Sequence, residues 1–286
     1  MTVKAVPYNS DDVYLVSNSQ MGTLTNCPKQ WYNNYFLRRV GMYNNHFPFS
    51  FGLFIHTLLE DGFNIDNEYD RQLFEANYIE NRGFVPSKRR KQYINKQHLN
   101  VSSYFDKYEF IKGVPGTELE LAIEVSLDNF PSELTDVLSS IKLANGDVRS
   151  FSGFGYRGII DFYGIDSSTG EKALVDWKTG KKGSQWEAGY DDQLNKYAYL
   201  AEVNGLDFDV GRVEYVLHRD TKHIRTSAEK GKQLIFNDLN LIAKALIDAH
   251  NGEEFEAIRS DQCNICLISF NCRKHEFSLV EEFYVV

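Results

Sequence analysis

Residues 158–180, GIIDFYGIDSSTGEKALVDWKTG, decide how this chain is built. Two apolar runs, Ile159–Ile160 and Leu174–Val175, each end in an aspartate, Asp161 and Asp176. Between them lies DSSTGE, whose Asp, Ser and Gly residues suit a tight reversal, so the stretch predicts two strands joined as a hairpin. Residues two apart on a strand project to the same side. Asp176 and Lys178 are therefore expected to point together, with Trp177 facing away. Both carboxylates emerge beside buried residues, a position ionised acids seldom occupy unless they are paired or bound to a cation.

Working outward, ELELAIEVSL at 118–127 alternates apolar and polar residues as a half-buried strand does. Downstream, QWEAGYDDQLNKYAYLAEVNG reads as a helix ending at Gly205, RVEYVLH as another strand, and 229–250 as a last helix. Upstream, a helix is predicted from Thr25 to about Arg39, with Leu24, Trp31 and Tyr35 on one face, and a second from about Phe51 to Phe63. The polar stretch 68–112 reads as mostly helical, with Gly83 and Pro86 as breakers. The order predicts an α/β fold, a central mixed β-sheet flanked by helices. Without repeats or a long linker, the expectation is a single domain over 1–286: a mainly helical part to 116, a sheet core over 117–225, and a helix with a cysteine-rich closure over 226–286.

A chain of 286 residues with 42% hydrophobic content can bury a large core. Nothing at the start resembles a signal peptide, and no apolar run approaches the roughly 20 residues a bilayer span needs, so a soluble, cytoplasmic protein is expected. The net charge of −9 argues against passive coating of nucleic acid while leaving room for a local basic channel. Lys88–Lys91 form one basic cluster, and Arg212, His218, Arg219, Lys222, His223 and Arg225 a looser one; each reads equally as solvated surface or DNA contact. The four cysteines point to metal or catalysis in place of disulfides.

Two carboxylates and an ammonium at this spacing suit phosphodiester hydrolysis, in which carboxylates hold hard divalent cations that lower the pKa of an attacking water. Gln193 and Tyr197 stand four apart on the next helix and share a face. GIIDF, VDWKTGK and QLNKY, in this order, resemble the RecB-like branch of the PD-(D/E)XK nucleases, whose core is restriction-endonuclease-like. FGLFIHTLLEDG adds a match to that branch's G-x-x-x-H-x-x-x-E helix through Gly52, His56 and Glu60. The resemblance implies that His56, Asp161, Asp176 and the main-chain carbonyl of Trp177 hold Mg²⁺ or Mn²⁺. It gives Lys178 the attacking water, Gln193 and Tyr197 the site or the strand, and Glu60 a supporting part. Glu124 is a candidate further acid, although Glu118 and Glu120 share its strand face.

SQMGTLTNCPKQWYNNY and CNICLISFNC resemble the opening and closing segments of the iron–sulfur members, such as the CRISPR-associated exonucleases and phage-encoded relatives. Cys27, Cys263, Cys266 and Cys272 would then hold a [4Fe-4S] cluster stapling the N- and C-terminal regions; zinc is the alternative, since four thiolates serve both. The implied activity is a metal-dependent deoxyribonuclease, an exonuclease on DNA ends or single strands in recombination, repair or phage and CRISPR-type processing. A non-catalytic DNA-binding or scaffold subunit is the alternative. No G-x-x-x-x-G-K-[ST] is present, so any motor would be a separate helicase or recombination protein, and the oligomeric state is left open.

Overall fold

The computed structural model describes residues 2–38, 47–61, 67–69, 72–73, 76, 107–180, 183, 187–216, 218, 220–260, 263, 266 and 272. In chain order the elements are β1 (Val3–Ala5), β2 (Val13–Ser17), α1 (Asn18–Asn26), α2 (Pro28–Trp31) with a π turn at Tyr32–Phe36, and α3 (Phe47–Asp61). Next come β3 (Tyr108–Phe110), β4 (Thr117–Val125), α4 (Glu133–Ser139), β5 (Ile141–Lys142) and β6 (Val148–Arg149). The remainder is β7 (Gly153–Asp166), β8 (Lys172–Lys178), α5 (Glu187–Val203), β9 (Val210–Tyr215), β10 (Asp220–Ile224) and α6 (Ala228–His250). The chain divides into two compact units: Met1–Asn45, Leu121–Gly158 and Lys232–Val286 make one, and His46–Glu120 with Ile159–Gly231 make the other.

The second unit holds a mixed sheet. β7 pairs antiparallel with β8, with Phe162 opposite Val175, and β8 pairs parallel with β9, with Asp176 opposite Val213. β3 and β10 add antiparallel partners to β7 and β9. The parallel step needs a crossover, which α5 supplies as it packs on β8 and β9. Its inward side, including Leu194, Ala198 and Ala201, is fully buried, as are Ile160, Phe162, Leu174, Val175 and Val213 on the strands. At about 25 cal/mol per Å² of apolar surface, such burial is the main force holding helix to sheet. Gly205 ends α5 as expected: its φ is +74°, and the Leu206 N–H closes back on the Ala201 carbonyl at 2.9 Å.

The β7–β8 reversal works through Asp166. Its carboxylate accepts the Ser168 and Thr169 backbone N–H groups at 2.8 and 3.2 Å, and Gly170 takes the left-handed φ of +74°.

In the first unit β1 pairs antiparallel with β4, and β2 pairs parallel with the first part of β7. A Cβ at Gly155 would stand 1.9 Å from the Ile123 carbonyl oxygen, so only glycine allows that approach. Ile235, Leu239, Ile242 and Leu246 of α6 form a buried helical stripe, and Tyr156 donates its hydroxyl to Asp238 at 3.1 Å.

Three expectations are corrected. The first helix starts at Asn18, not Thr25, because the Ser17 hydroxyl accepts the Gln20 N–H as an N-cap, and it stops before Cys27. Cys27 precedes Pro28, whose ring disfavours helical geometry in the residue before it, and it is extended (φ −158°, ψ 96°). Residues 108–110 are a strand, not the end of a helix; the rest of the polar stretch, with Lys88–Lys91, falls almost wholly outside the described residues. Arg212 is no surface cation: it is 1% exposed and paired with Asp166 and Glu171, while Lys222 of the same expected patch pairs with Asp191 at 2.7 Å. No helix among the described residues is long and apolar enough to cross a membrane.

Candidate active site

The register that sets Phe162 opposite Val175 carries the next pair, Asp161 and Asp176, to facing positions at the end of the hairpin. Asp161 accepts the Trp177 backbone N–H at 2.6 Å, which ties its carboxylate across the strand boundary. Asp176 is 3% exposed. As the two-residue spacing requires, Lys178 turns to the same side, its Nζ 2.6 Å from Asp176 Oδ2, while Trp177 is buried.

From α5, Gln193 donates to Asp176 Oδ1 at 3.1 Å and also contacts the Tyr197 hydroxyl at 2.7 Å. The four-residue spacing thus bridges the helix to the carboxylate. From α3, where Ile55, Leu58 and Leu59 form the buried stripe, His56 brings its Nδ1 to 3.6 Å from Asp161 Oδ1 and its ring edge against Trp177. Glu60, one turn on, is near enough for its charge to act on Asp161. A Cβ on Gly52 would make only an ordinary 3.6 Å contact with Thr179, so no clash demands glycine there.

The electrostatics are those of a site with surplus negative charge. Burial, and then the Asp176 carboxylate beside it, push the Asp161 carboxyl well above the usual range, against the pull of Lys178 and the Trp177 N–H. Burial lowers His56 and the Lys178 charge adds to this, while Asp176 pulls the other way; the imidazole is held toward its neutral form. Burial also opposes the Lys178 ammonium, but Asp176 and Asp161 outweigh it and raise its pKa above that of an ordinary lysine.

The sequence reading missed Tyr190, whose ring lies 4.9 Å from Lys178 Nζ and faces the ammonium. The signal was present: Tyr190, Gln193 and Tyr197 recur at the spacing of one helix face. Glu124 lies in the first unit, paired with Lys4 at 3.0 Å across β1 and β4.

The model of the PD-(D/E)XK nuclease superfamily matches residues 15–273. The chain belongs to that superfamily. A search of curated proteins finds no match. Among solved structures, one titled "Crystal structure of SSO0001" is similar over 93% of this chain and 88% of that one, at 12% identity and a TM-score of 0.38, too distant to carry an argument.

PD-(D/E)XK nucleases typically use Mg²⁺ or Mn²⁺, and the donors suit such a hard ion. Asp161, Asp176 and a neutral His56 leave one negative charge beyond what Lys178 offsets, and Asp176 is buried beside the second carboxylate. The set is not preassembled: among the described residues no three or more His, Cys, Asp and Glu side chains are grouped to hold a metal.

The same holds for the cysteines. No disulfide joins any of the four, and each is half-buried. The segment after α6 does dock on the helix that Cys27 precedes. Lys29 donates its N–H to the Glu256 carbonyl at 3.1 Å, and Phe255 stacks on Tyr32 with ring centres 5.0 Å apart. Further along, the Ser260 N–H reaches Cys263 Sγ at 3.5 Å.

Proposed function

We propose that this chain is a metal-dependent DNA nuclease, an exonuclease that hydrolyses DNA ends or single strands in the cytoplasm during recombination, repair or phage and CRISPR-type processing. The observation that carries the reading is the convergence of Asp161, Asp176, Lys178 and Gln193 where β7, β8 and α5 meet. Asp161, Asp176 and His56, with the main-chain carbonyl of Trp177, would hold Mg²⁺ or Mn²⁺. When bound, the ion polarises the phosphate and lowers the pKa of water. Lys178, kept cationic by its two acids, orients the attacking water and offsets charge on the phosphate oxygens. Gln193 fixes the rotamer of Asp176, and Tyr197 braces Gln193. Water adds to phosphorus, the bond to the 3′ oxygen breaks, and 5′-phosphate and 3′-hydroxyl ends result.

The test is cleavage of end-labelled single- and double-stranded DNA by anaerobically purified protein with Mg²⁺, Mn²⁺ or EDTA, beside Lys178→Ala. Cutting that needs both metal and Lys178 is expected, and the product ladder gives polarity. Cutting by Lys178→Ala at the wild-type rate would refute the assignment; DNA binding without any cutting would make the chain a binding subunit.

The four cysteines are read as ligands of a [4Fe-4S] cluster closing the first unit, with zinc as the other metal the thiolates accommodate. Support comes from the docking of the tail beside the Cys27 helix and from the C-x₂-C-x₅-C spacing. Protein purified without oxygen should absorb in the visible, and Cys266→Ser should lose that absorbance and melt lower; a colourless, iron-free wild type would overturn the cluster.

A further inference from the structure

The first unit contains a cavity of about 510 Å³ whose wall carries three arginines, Arg38, Arg149 and Arg157. In a chain with 40 acidic residues against 31 basic ones, three cations would ordinarily find carboxylates. None of the three is paired with one among the described residues. Among the described residues the only acid in the wall is the exposed Asp11. Tyr14 adds no negative charge, because burial pushes its phenol up to about 12 despite the hydrogen bond from Gln20.

The cations are also positioned. Arg157 is stacked on the Tyr8 ring at 4.9 Å, and its Nε is buried without a hydrogen-bond partner. The neighbouring Asn34 has a buried, unpartnered Oδ1. Arg38 sits at a φ of +49°, a left-handed position unusual outside glycine, and its charge is disfavoured first by burial and then by Arg149 and Arg157. Three guanidinium groups converging on a polar cavity, at a mutual electrostatic cost, form a receptor for an anion with several oxygens. The volume exceeds what a bare phosphate fills and falls within the range of small-ligand sites. Amide donors and acceptors at Asn34 and Gln20 and the half-buried ring of Tyr35 suit the sugar and base beside the phosphate.

We propose that this cavity binds the phosphate monoester of a nucleotide, either at the end of a DNA strand or on a free nucleotide. Its described lining belongs to the first unit, whereas Asp161 and Asp176 belong to the second. The strand-end form rests on the DNA reading above.

The experiment measures binding in EDTA, where no cutting occurs. Wild-type protein is titrated into labelled oligonucleotides bearing a terminal phosphate at the 5′ or the 3′ end and into their hydroxyl counterparts, with deoxynucleoside monophosphates and inorganic phosphate as competitors. The same is done with Arg38→Gln/Arg149→Gln, neither of which has a carboxylate partner to lose among the described residues. A phosphorylated end should bind about tenfold or more tighter than a hydroxyl end, and the double variant should erase that preference. Equal competition by the free nucleotide identifies the cavity as a mononucleotide site. Binding blind to the phosphate in every probe, or a preference the double variant keeps while its melting curve is unchanged, overturns the proposal. Because DNA cutting is measured separately, a wild type that cuts but ignores the phosphate sinks the cavity alone. One that senses the phosphate but never cuts sinks the nuclease reading alone.

Discussion

β7 carries two aspartates five residues apart that meet opposite fates. Asp166, at the turn end of the hairpin, accepts Ser168 and Thr169 N–H groups and the Arg212 guanidinium, which also reaches Glu171 at 3.0 Å. Burial alone would raise its carboxyl, but these bonds hold it well below the usual carboxylate range. Around it Glu214 accepts from Lys107 at 2.7 Å and from Tyr108 at 2.6 Å. At the open end, Asp161 faces a second carboxylate with one ammonium between them and is pushed the other way. The same hairpin thus carries a closed ionic network at its turn and an under-compensated cluster at its open end. The first adds rigidity; the second keeps its ligating capacity for something that arrives later.

The largest effect should come from breaking the closed network. Arg212→Met leaves Asp166 and Glu171 without their shared cation, and urea unfolding should show a loss of about 3–5 kcal/mol. A loss near zero would mean that the network is ornamental. At the open end Lys178→Ala should slow DNA cutting by about a hundredfold or more while shifting the urea midpoint little. If instead stability collapses and cutting persists, the two ends have been assigned the wrong way round.

Asp161→Asn removes one of two repelling acids and should raise metal-free stability by about 1 kcal/mol while abolishing cutting, the trade expected where a site is built at a cost to the fold. The smallest and most diagnostic effect is on pH dependence, measured in EDTA. Asp166 has a depressed folded pKa, so its contribution is present above its unfolded value of about 3.9 and is lost as pH falls through the folded one. Asp161 has a raised folded pKa, so the folded state holds its proton more tightly and stability declines as pH rises from about 3.9 through the folded value. Arg212→Met should flatten the acid limb, and Asp161→Asn the opposite one.

The open end was readable from sequence because its logic is local. Asp176 and Lys178 share a strand face by alternation, Gln193 and Tyr197 share a helix face by one turn, and the mixed sheet with flanking helices follows from the order of such segments. The closed end was not readable. Arg212 meets Asp166 across 46 residues, and nothing in RVEYVLH distinguishes a buried cation from an exposed one. β2 was missed for a related reason: VYLVS has little alternation, and its partner, the start of β7, lies about 140 residues away. The break at Cys27 was legible in principle, since Pro28 follows it, but the apolar spacing of Leu24 and Trp31 on either side suggested an unbroken helix.

The docking of Phe255 and Glu256 on Lys29 and Tyr32 fixes an order of events during synthesis. The second unit uses only residues 46–120 and 159–231, so all of its parts have left the ribosome while the chain is still growing. The first unit contains Lys29 and Tyr32, which must wait for a segment beyond 250 before they meet Glu256 and Phe255. While residues 32–254 are being made, Trp31 and Tyr32 stay without the Phe255 ring that packs on them, and their apolar surface is open to solvent for that interval.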